Sequence, residues 1–252
     1  MSRPSPFSKE TLIKLVRLIL ILMILISLWQ IGSALWGYRQ GAQTYQSIRE
    51  QAAAAVPAPE AGEESGENTQ PALDFETLQS LYPDTVAWIS CPDTPIDYPI
   101  LQGADNSYYL RRLPDGTWNN SGSLFLDHRN PSDFSGTISS VYGHNMKDGS
   151  MFACLENYTS QEWYDQHPVM TLELPEETRE LQVLYGFTVS AQYWVEQGFD
   201  QEGNLSALLD YAARNTTFTP AFSRQEDAPL TALITCTSHS DQERYIVLCQ
   251  LV

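Results

Sequence analysis

Side chains that attack carbonyls or exchange protons near neutral pH are few in this chain, with 4 cysteines and 4 histidines among 252 residues. Cys236 is unlike the other thiols. It ends the apolar run Leu230-Thr-Ala-Leu-Ile-Thr-Cys and is followed by the polar stretch Thr237-Ser-His-Ser-Asp-Gln-Glu. A thiol so placed is held by a strand and faces an open edge. Arg244 opens the next apolar run, so a hairpin would bring its guanidinium beside Cys236. A fixed cation lowers a thiol pKa and can bind a developing oxyanion. His144 ends a third run, Thr137-Ile-Ser-Ser-Val-Tyr-Gly, at a turn position with little reason to be there for packing. Thiol, imidazole and guanidinium together are the equipment of acyl transfer through a covalent intermediate. On spacing alone, a strand-end cysteine near an incidental surface arginine is the favoured reading. His239 competes with His144 as the base, or could form a Cys-x2-His metal pair with Cys236. Zinc needs three or four ligands and no second close Cys/His pair exists, so no metal or cofactor is expected. His128 and His167 read as loop residues.

The remaining thiols sit in apolar surroundings: Cys91 after Val86-Ala-Trp-Ile-Ser, Cys154 beside Phe152 and Leu155, Cys249 alternating with Tyr245, Val247 and Leu251. Each reads as a small buried hydrophobe, so four free thiols and no disulfide are expected.

The elements that must position these groups are mostly strands. Short β-like runs bounded by turn residues are predicted at 86–90, 98–102, 123–126, 137–142, 169–174, 181–193, 230–236 and 244–251. Asp74 caps a short helix reaching about Leu81. Helical pieces are predicted at 151–158 and 161–166. A longer helix at 204–214 carries Leu205, Leu208, Leu209 and Ala212 on one stripe. The fold class is therefore mostly β, with eight strands suggesting a closed or nearly closed barrel.

Ahead of this unit, residues 18–36 form an uncharged run of 19 residues, long enough to span about 30 Å of hydrocarbon as a helix. Arg3, Lys9, Lys14 and Arg17 precede it, which predicts a cytoplasmic tail at 1–17 and a signal anchor at 18–36. Residues 37–50 read as a polar continuation of the helix. Residues 51–71, rich in Ala, Pro, Gly and Glu and without aromatics, read as a flexible tether. The juxtamembrane segment and linker thus occupy 37–71, and the extracellular domain 72–252. The formal net charge is −17; beyond residue 39 there are 9 basic and 30 acidic residues, a net of −21. Such a surface repels phosphate backbones, so nucleic acid is excluded as a partner.

The strings Thr94-Pro-Ile-Asp-Tyr-Pro-Ile-Leu-Gln-Gly-Ala-Asp-Asn-Ser-Tyr-Tyr-Leu, Gly122-Ser-Leu-Phe-Leu-Asp-His-Arg-Asn, Ser139-Ser-Val-Tyr-Gly-His-Asn-Met-Lys-Asp-Gly-Ser-Met-Phe and Ala232-Leu-Ile-Thr-Cys-Thr-Ser-His-Ser-Asp-Gln-Glu-Arg-Tyr resemble, in order, the landmarks of class B sortases. The resemblance covers nearly all of residues 72–252. It implies an eight-stranded sortase-type barrel with N-terminal helices and a long helix before the cysteine-bearing strand. It implies a membrane-anchored cysteine transpeptidase at the outer face of a Gram-positive membrane, with Cys236 as nucleophile, His144 as catalytic histidine and Arg244 as the stabilising arginine. Asn106, Leu110 and Tyr142 match positions lining the peptide groove. Thr235 offers a backbone carbonyl that would orient Arg244. Ile234 stands where the family often has a small polar residue. The implied partners are surface proteins bearing a Thr-containing sorting signal and an amine acceptor from a peptidoglycan precursor or a pilin. A hydrolytic peptidase with the same dyad, or an inactive binding module, are the alternative readings.

Overall fold

The computed structural model describes residues 9–54, 73–199 and 204–252. Eight strands close into one barrel: β1 (Thr85–Ser90), β2 (Asp97–Leu101), β3 (Leu124–Leu126), β4 (Ile138–Tyr142), β5 (Val169–Glu173), β6 (Thr178–Ser190), β7 (Leu230–Cys236) and β8 (Glu243–Leu251). Their order around the barrel is β1-β2-β3-β4-β7-β8-β6-β5. Closure gives each described strand a ladder partner on both sides over at least part of its length. Two neighbours are parallel, β2 with β3 and β4 with β7; the remaining pairs run antiparallel.

The apolar residues of β7 and β8 divide by parity between two cores. Leu233, Tyr245, Val247, Cys249 and Leu251 fill the barrel interior with Trp88, Ile100, Val141 and Leu172. Leu230, Ala232, Ile234, Ile246 and Leu248 point the other way, against Phe187, Trp194, Phe199, Leu208 and Ala212. Successive strand residues face opposite sides. With the outer side covered by helices α4 (Ala191–Glu196) and α5 (Leu205–Asn215), both faces are buried, which is why Leu230-Thr-Ala-Leu-Ile-Thr is apolar almost throughout instead of alternating. The helical stripe on α5 meets this expectation, with Leu208 and Ala212 buried.

Most strand boundaries shift by a residue or a few from those read in the sequence, and two elements change more substantially. The sixth strand stops at Ser190, not at Tyr193. The Ser190 hydroxyl accepts from the Tyr193 amide and N-caps α4, a local side-chain bond that outcompetes extension of the ladder. The helix expected at 151–158 is a 3-10 segment, Ala153–Thr159, followed by α3 (Gln161–Gln166).

Helix α1 (Lys9–Ala54) is one element of 46 residues, about 70 Å long at 1.5 Å per residue. Its first part is long and apolar enough to cross a membrane, with none of its apolar window buried by the rest of the chain. Its second part does not hang free. Tyr45, Ile48 and Ala52 are buried against the barrel. The Tyr45 hydroxyl donates to the Gly122 carbonyl at 2.7 Å and to Ser123 Oγ at 3.1 Å. Arg49 reaches Asp97 at 3.3 Å and lies over the Tyr98 ring at 5.6 Å. The packed unit therefore includes part of the segment expected to be a linker. The far end of α1 meets α2 (Phe75–Leu81), where the Asp74 amide lies 3.4 Å from the Ala52 carbonyl. Residues 55–72, most of the expected tether, lie outside the described residues.

Tyr45 tests this docking. Tyr45→Ala removes a buried ring and two hydrogen bonds and should destabilise the domain by about 3 kcal/mol, lowering Tm by roughly 6–12 °C. A thermal midpoint within 2 °C of the wild type would mean that α1 does not brace the barrel.

Candidate active site

Parity and register bring the chemistry together. In the parallel pair, Tyr142 of β4 lies opposite Ile234 of β7, and the Gly143 amide donates to the Ile234 carbonyl at 3.0 Å. Two residues further along each chain stand His144 and Cys236, at the same edge and on the parity of the outer face. In the antiparallel pair, Cys236 lies directly opposite Arg244. Side chains so paired start about 5 Å apart at Cβ. Arg244 shares its face with Ile246 and Leu248, so thiol, imidazole and guanidinium all emerge on the outer face of β4-β7-β8, just beyond the helices that cover it. Gly143 is required between Tyr142 and His144: a Cβ there would meet the Leu124 side chain and lie 2.6 Å from Phe152.

A groove of about 330 Å³ opens at this edge, lined by all seven residues singled out in the sequence: Asn106, Leu110, Tyr142, His144, Thr235, Cys236 and Arg244. Ser123, Phe125, Arg129, Gly143, Val195 and Ile234 complete it. Val195 comes from α4, an element the sequence pattern hid inside a strand. A larger depression of about 580 Å³, bordered by Gln79, Asp133, Glu176, Glu177 and Arg179, contains no thiol or imidazole, so volume alone would misplace the site.

His144 is held by its surroundings. Its Nε2 lies 2.6 Å from the Leu110 carbonyl. A carbonyl only accepts, so Nε2 carries the proton and Nδ1 is the nitrogen left for exchange. Its own carbonyl accepts from the Phe152 amide at 3.0 Å, and Asn145 bridges to Met151, closing residues 144–152 into a tight loop. Met151 adopts φ 58°, a conformation uncommon outside glycine, and is fixed there by burial and by the Tyr98 hydroxyl at 3.2 Å from its amide. His239 is exposed in the β7–β8 turn and is not among the groove residues. His167 is not a simple loop residue. It is buried at the C-terminus of α3, with Nδ1 3.0 Å from the Trp163 carbonyl and its ring 4.2 Å from that indole.

Thr235 lines the groove beside Cys236 at the end of β7. It pairs with Tyr245, its side chain takes the parity of the barrel interior, and it is 1% exposed. The Asp241 and Glu243 carbonyls accept from Arg244 Nη1 at 2.8 and 3.0 Å. Asn106 and Leu110 act differently from simple pocket side chains. Leu110 supplies the carbonyl that holds His144. The Asn106 amide is committed, donating to Asp127 at 2.8 Å and accepting from the His128 amide at 2.9 Å.

Two polar anchors were missed in the sequence. Asp127 is fully buried behind the groove wall. It accepts from the Asn106 amide, from the Arg129 amide at 3.0 Å, from Arg129 Nε and Nη2 at 2.9 and 2.7 Å, and from the Tyr142 hydroxyl at 3.3 Å. Burial pushes its carboxyl up, but the hydrogen bonds from Arg129 and Asn106 more than offset this and hold it at about 2. The second anchor is Glu156. It accepts from Asn145 Nδ2 at 2.8 Å and from the Ser238 amide at 2.9 Å, while the same Asn145 nitrogen donates to the Cys236 carbonyl at 2.9 Å. Asn145 and Glu156 thus tie the residue after His144 to Cys236 and to the turn that follows it. In the sequence Asp127 stands inside a landmark string and Glu156 four residues after one, with nothing local to mark either as an anchor.

The other thiols have no such setting. Cys91, Cys154 and Cys249 are free and buried. Burial raises the Cys91 and Cys249 thiols, and it pushes Cys154 up to about 12 with Cys91 adding to the effect. Cys236 is half-exposed at the groove.

Residues 89–252 match the family described as the Sortase domain. The chain belongs to the sortase family. It is 30% identical to "Sortase B" of Listeria monocytogenes over 237 residues, covering 94% of each chain. It is 27% identical to "Sortase B" of Staphylococcus aureus over 176 residues, covering 69% of this chain and 72% of the relative. A crystal structure from Bacillus anthracis described as similar to sortase B superposes with a TM-score of 0.70 at 28% identity, covering 85% of this chain and 97% of that one. The relatives place it in class B, and class B sortases are cysteine transpeptidases. The barrel, its N-terminal helix and the enzyme type expected from the sequence are those of this sortase.

Two predictions follow from the anchors. The Asp127 carboxyl is depressed in the folded sortase from the usual carboxylate value to about 2. Its stabilisation, about 2 kcal/mol, is therefore fully present above pH about 4 and is lost as the pH falls through about 2. Asp127→Asn should remove that acid-limb dependence in urea melts recorded between pH 2 and 5; an unchanged pH profile would mean that the carboxylate is not so bound. Asn145→Ala should lower kcat on a peptide substrate by roughly tenfold to a hundredfold, the scale of a small misplacement of reacting groups. Full turnover would show that the bridge to Cys236 and Glu156 does not set the site's geometry.

Proposed function

We propose that Cys236 is the covalent nucleophile of a two-step acyl transfer, with His144 as its proton-transfer partner and Arg244 as the oxyanion donor. The observation that carries this reading is the emergence of the three side chains on one face at one barrel edge, beside a groove that could seat an extended peptide. The Cys236 thiolate attacks the carbonyl carbon that follows the Thr of a sorting signal. The electron pair of the carbonyl moves to oxygen, where the Arg244 guanidinium accepts the charge through Nε and Nη2, Nη1 being held by backbone carbonyls. Collapse breaks the C–N bond, and the proton from His144 goes to the departing amine. A thioester remains on Cys236. An amine of a cell-wall precursor or a pilin then gives a proton to His144, attacks the thioester carbon and releases the thiolate. With Nε2 donating to Leu110, the proton passes through Nδ1.

Anchoring follows the same reading. Residues 1–17 lie in the cytoplasm, residues 18–36 cross the membrane, and the barrel sits outside. The basic residues before Leu18 favour this orientation. Inside the apolar helix the Ser33 hydroxyl donates to the Gln30 carbonyl at 2.9 Å, so that polar group is satisfied without water.

The catalytic assignment is tested by substitution with the fold monitored in parallel. Cys236→Ala and His144→Ala should abolish transfer at an unchanged Tm, while His239→Ala keeps most of it. Arg244→Ala should cost about 10²–10³ in kcat, the range for one oxyanion donor, and Arg244→Lys should recover only part. Retained transfer in His144→Ala with loss in His239→Ala would overturn the dyad. Adding an amine should divert product from acid to amide; acid alone at saturating amine would make the enzyme a peptidase.

A further inference from the structure

The catalytic barrel touches α1 at the point where the helix leaves its apolar run. Asn119 is buried, and its side-chain amide donates to the Gly37 carbonyl at 2.9 Å, one residue after Trp36. One turn further, Gly41 packs so closely that a Cβ would lie 3.4 Å from Ser121 Oγ. Asn119 belongs to a hairpin in which Arg112 pairs with Trp118, the Asn119 amide donates to the Arg111 carbonyl at 3.0 Å, and the Leu113 amide donates to the Thr117 carbonyl at 2.9 Å.

The surface of this hairpin differs from the rest of the domain. Trp118 is 62% exposed. Arg111 is exposed and donates to Asn120 Oδ1 at 2.9 Å, and Arg112 lies over the Tyr108 ring at 4.8 Å. Beyond residue 39 the chain holds 9 basic residues against 30 acidic ones, and two of the nine are adjacent here. Arg39, exposed on α1, adds a third cation at the same level. The hairpin's one acid, Asp115, is at its turn.

We propose that this hairpin, through Trp118, Arg111 and Arg112, rests on the headgroups of the bilayer that α1 crosses, the arginines pairing with lipid phosphates and the indole lying at the interface. The proposal depends on the reading of α1 as a membrane span. Indole and arginine are suited to that boundary because each joins an apolar or stacking body to a polar tip. An anionic membrane surface repels the acidic remainder of the domain and attracts this edge, so electrostatics select which side faces the bilayer. The consequence reaches the active site. Gly37 bonds Asn119, Asn119 bonds Arg111, and Leu110, the residue before Arg111, holds His144. With steps of about 3.8 Å along the chain and about 5 Å between paired strands, the catalytic imidazole lies within roughly 20 Å of the membrane end of α1. Gly122 permits this close layering: at φ 57°, any Cβ would strike the Leu110 carbonyl. The groove thus opens beside the membrane, where a peptide or acceptor still held in the same bilayer can enter it.

The test uses the full chain in nanodiscs of mixed phosphatidylglycerol and phosphatidylcholine. Single labelling sites are made in a Cys236→Ala background, where the buried thiols do not compete. Spin labels are placed at Thr117→Cys in the hairpin, at Trp29→Cys in the span, and at Glu226→Cys beyond the opposite end of β7. Nickel chelated to lipid headgroups should broaden the label at 117 several-fold more than the label at 226. Adding Arg111→Glu and Arg112→Glu should bring the 117 signal down to that of 226. Equal broadening at 117 and 226, with the label at 29 accessible to oxygen in the lipid, would overturn the proposal while leaving the span intact. A label at 29 that reports water would overturn the membrane reading, and this proposal with it.

Discussion

The parallel pairing of β4 with β7 is the constraint on which the site depends. Antiparallel neighbours joined by a hairpin come almost free, but parallel neighbours need a long crossover. Here the chain leaves β4 at Tyr142 and returns as β7 only at Leu230, having built β5, β6 and the helical segments in between. The return must be in register, because a slip of one residue would turn Cys236 into the barrel and bring Thr235 out. Packing enforces the register from both sides. Leu233 fits only the interior, and Ala232 and Ile234 fit only the layer beneath α4 and α5. The helices before β7 are thus the second wall of a sandwich whose middle layer carries Cys236, and α4 also lends Val195 to the groove.

Register alone brings two strand ends to one edge; it does not fix the side chains. That is the work of two acids, Asp127 and Glu156. Glu156 and Asn145 join the loop after His144 to Cys236 and the turn that follows it. Asp127 gathers Asn106, Arg129 and Tyr142 from separate stretches of chain into one wall. A charged carboxylate with 0% exposure is tolerable only because five donors surround it, and breaking that set would leave a buried charge uncompensated. Such a network favours a single arrangement of the groove over several near-equal ones.

Much of this was legible in the sequence where one residue type has one physical reason to stand where it does. Cys236, His144 and Arg244 are reactive or charged residues at strand ends, and apolar periodicity located those ends to within a residue or two. Eight short runs between turn residues gave away the barrel. What stayed hidden was decided by contacts between distant parts of the chain. The strand ending at Tyr193 looked continuous because Ala191-Gln-Tyr-Trp-Val alternates well enough for β structure; the Ser190 cap turns it into α4. Asp127 and Glu156 were not singled out, because the burial of the one and the other's partners 11 and 82 residues away are invisible to local pattern.

The same limit applies to the tether. Composition marks residues 51–71 as unlikely to pack, and from this it is natural to picture a domain swinging on a leash. The ends of that segment argue otherwise. Ala52 and Asp74 are hydrogen-bonding neighbours, and between Gly37 and Ala52 helix α1 is already fastened to the barrel by Asn119, Tyr45 and Arg49. A segment whose two ends meet adds no reach, whatever its length. The distance between the apolar run and the catalytic groove is instead set by a helix with a fixed rise per residue, locked at several points to the body it carries. A groove held in one orientation relative to the helix that carries it has little rotational freedom left to lose when it binds an extended ligand.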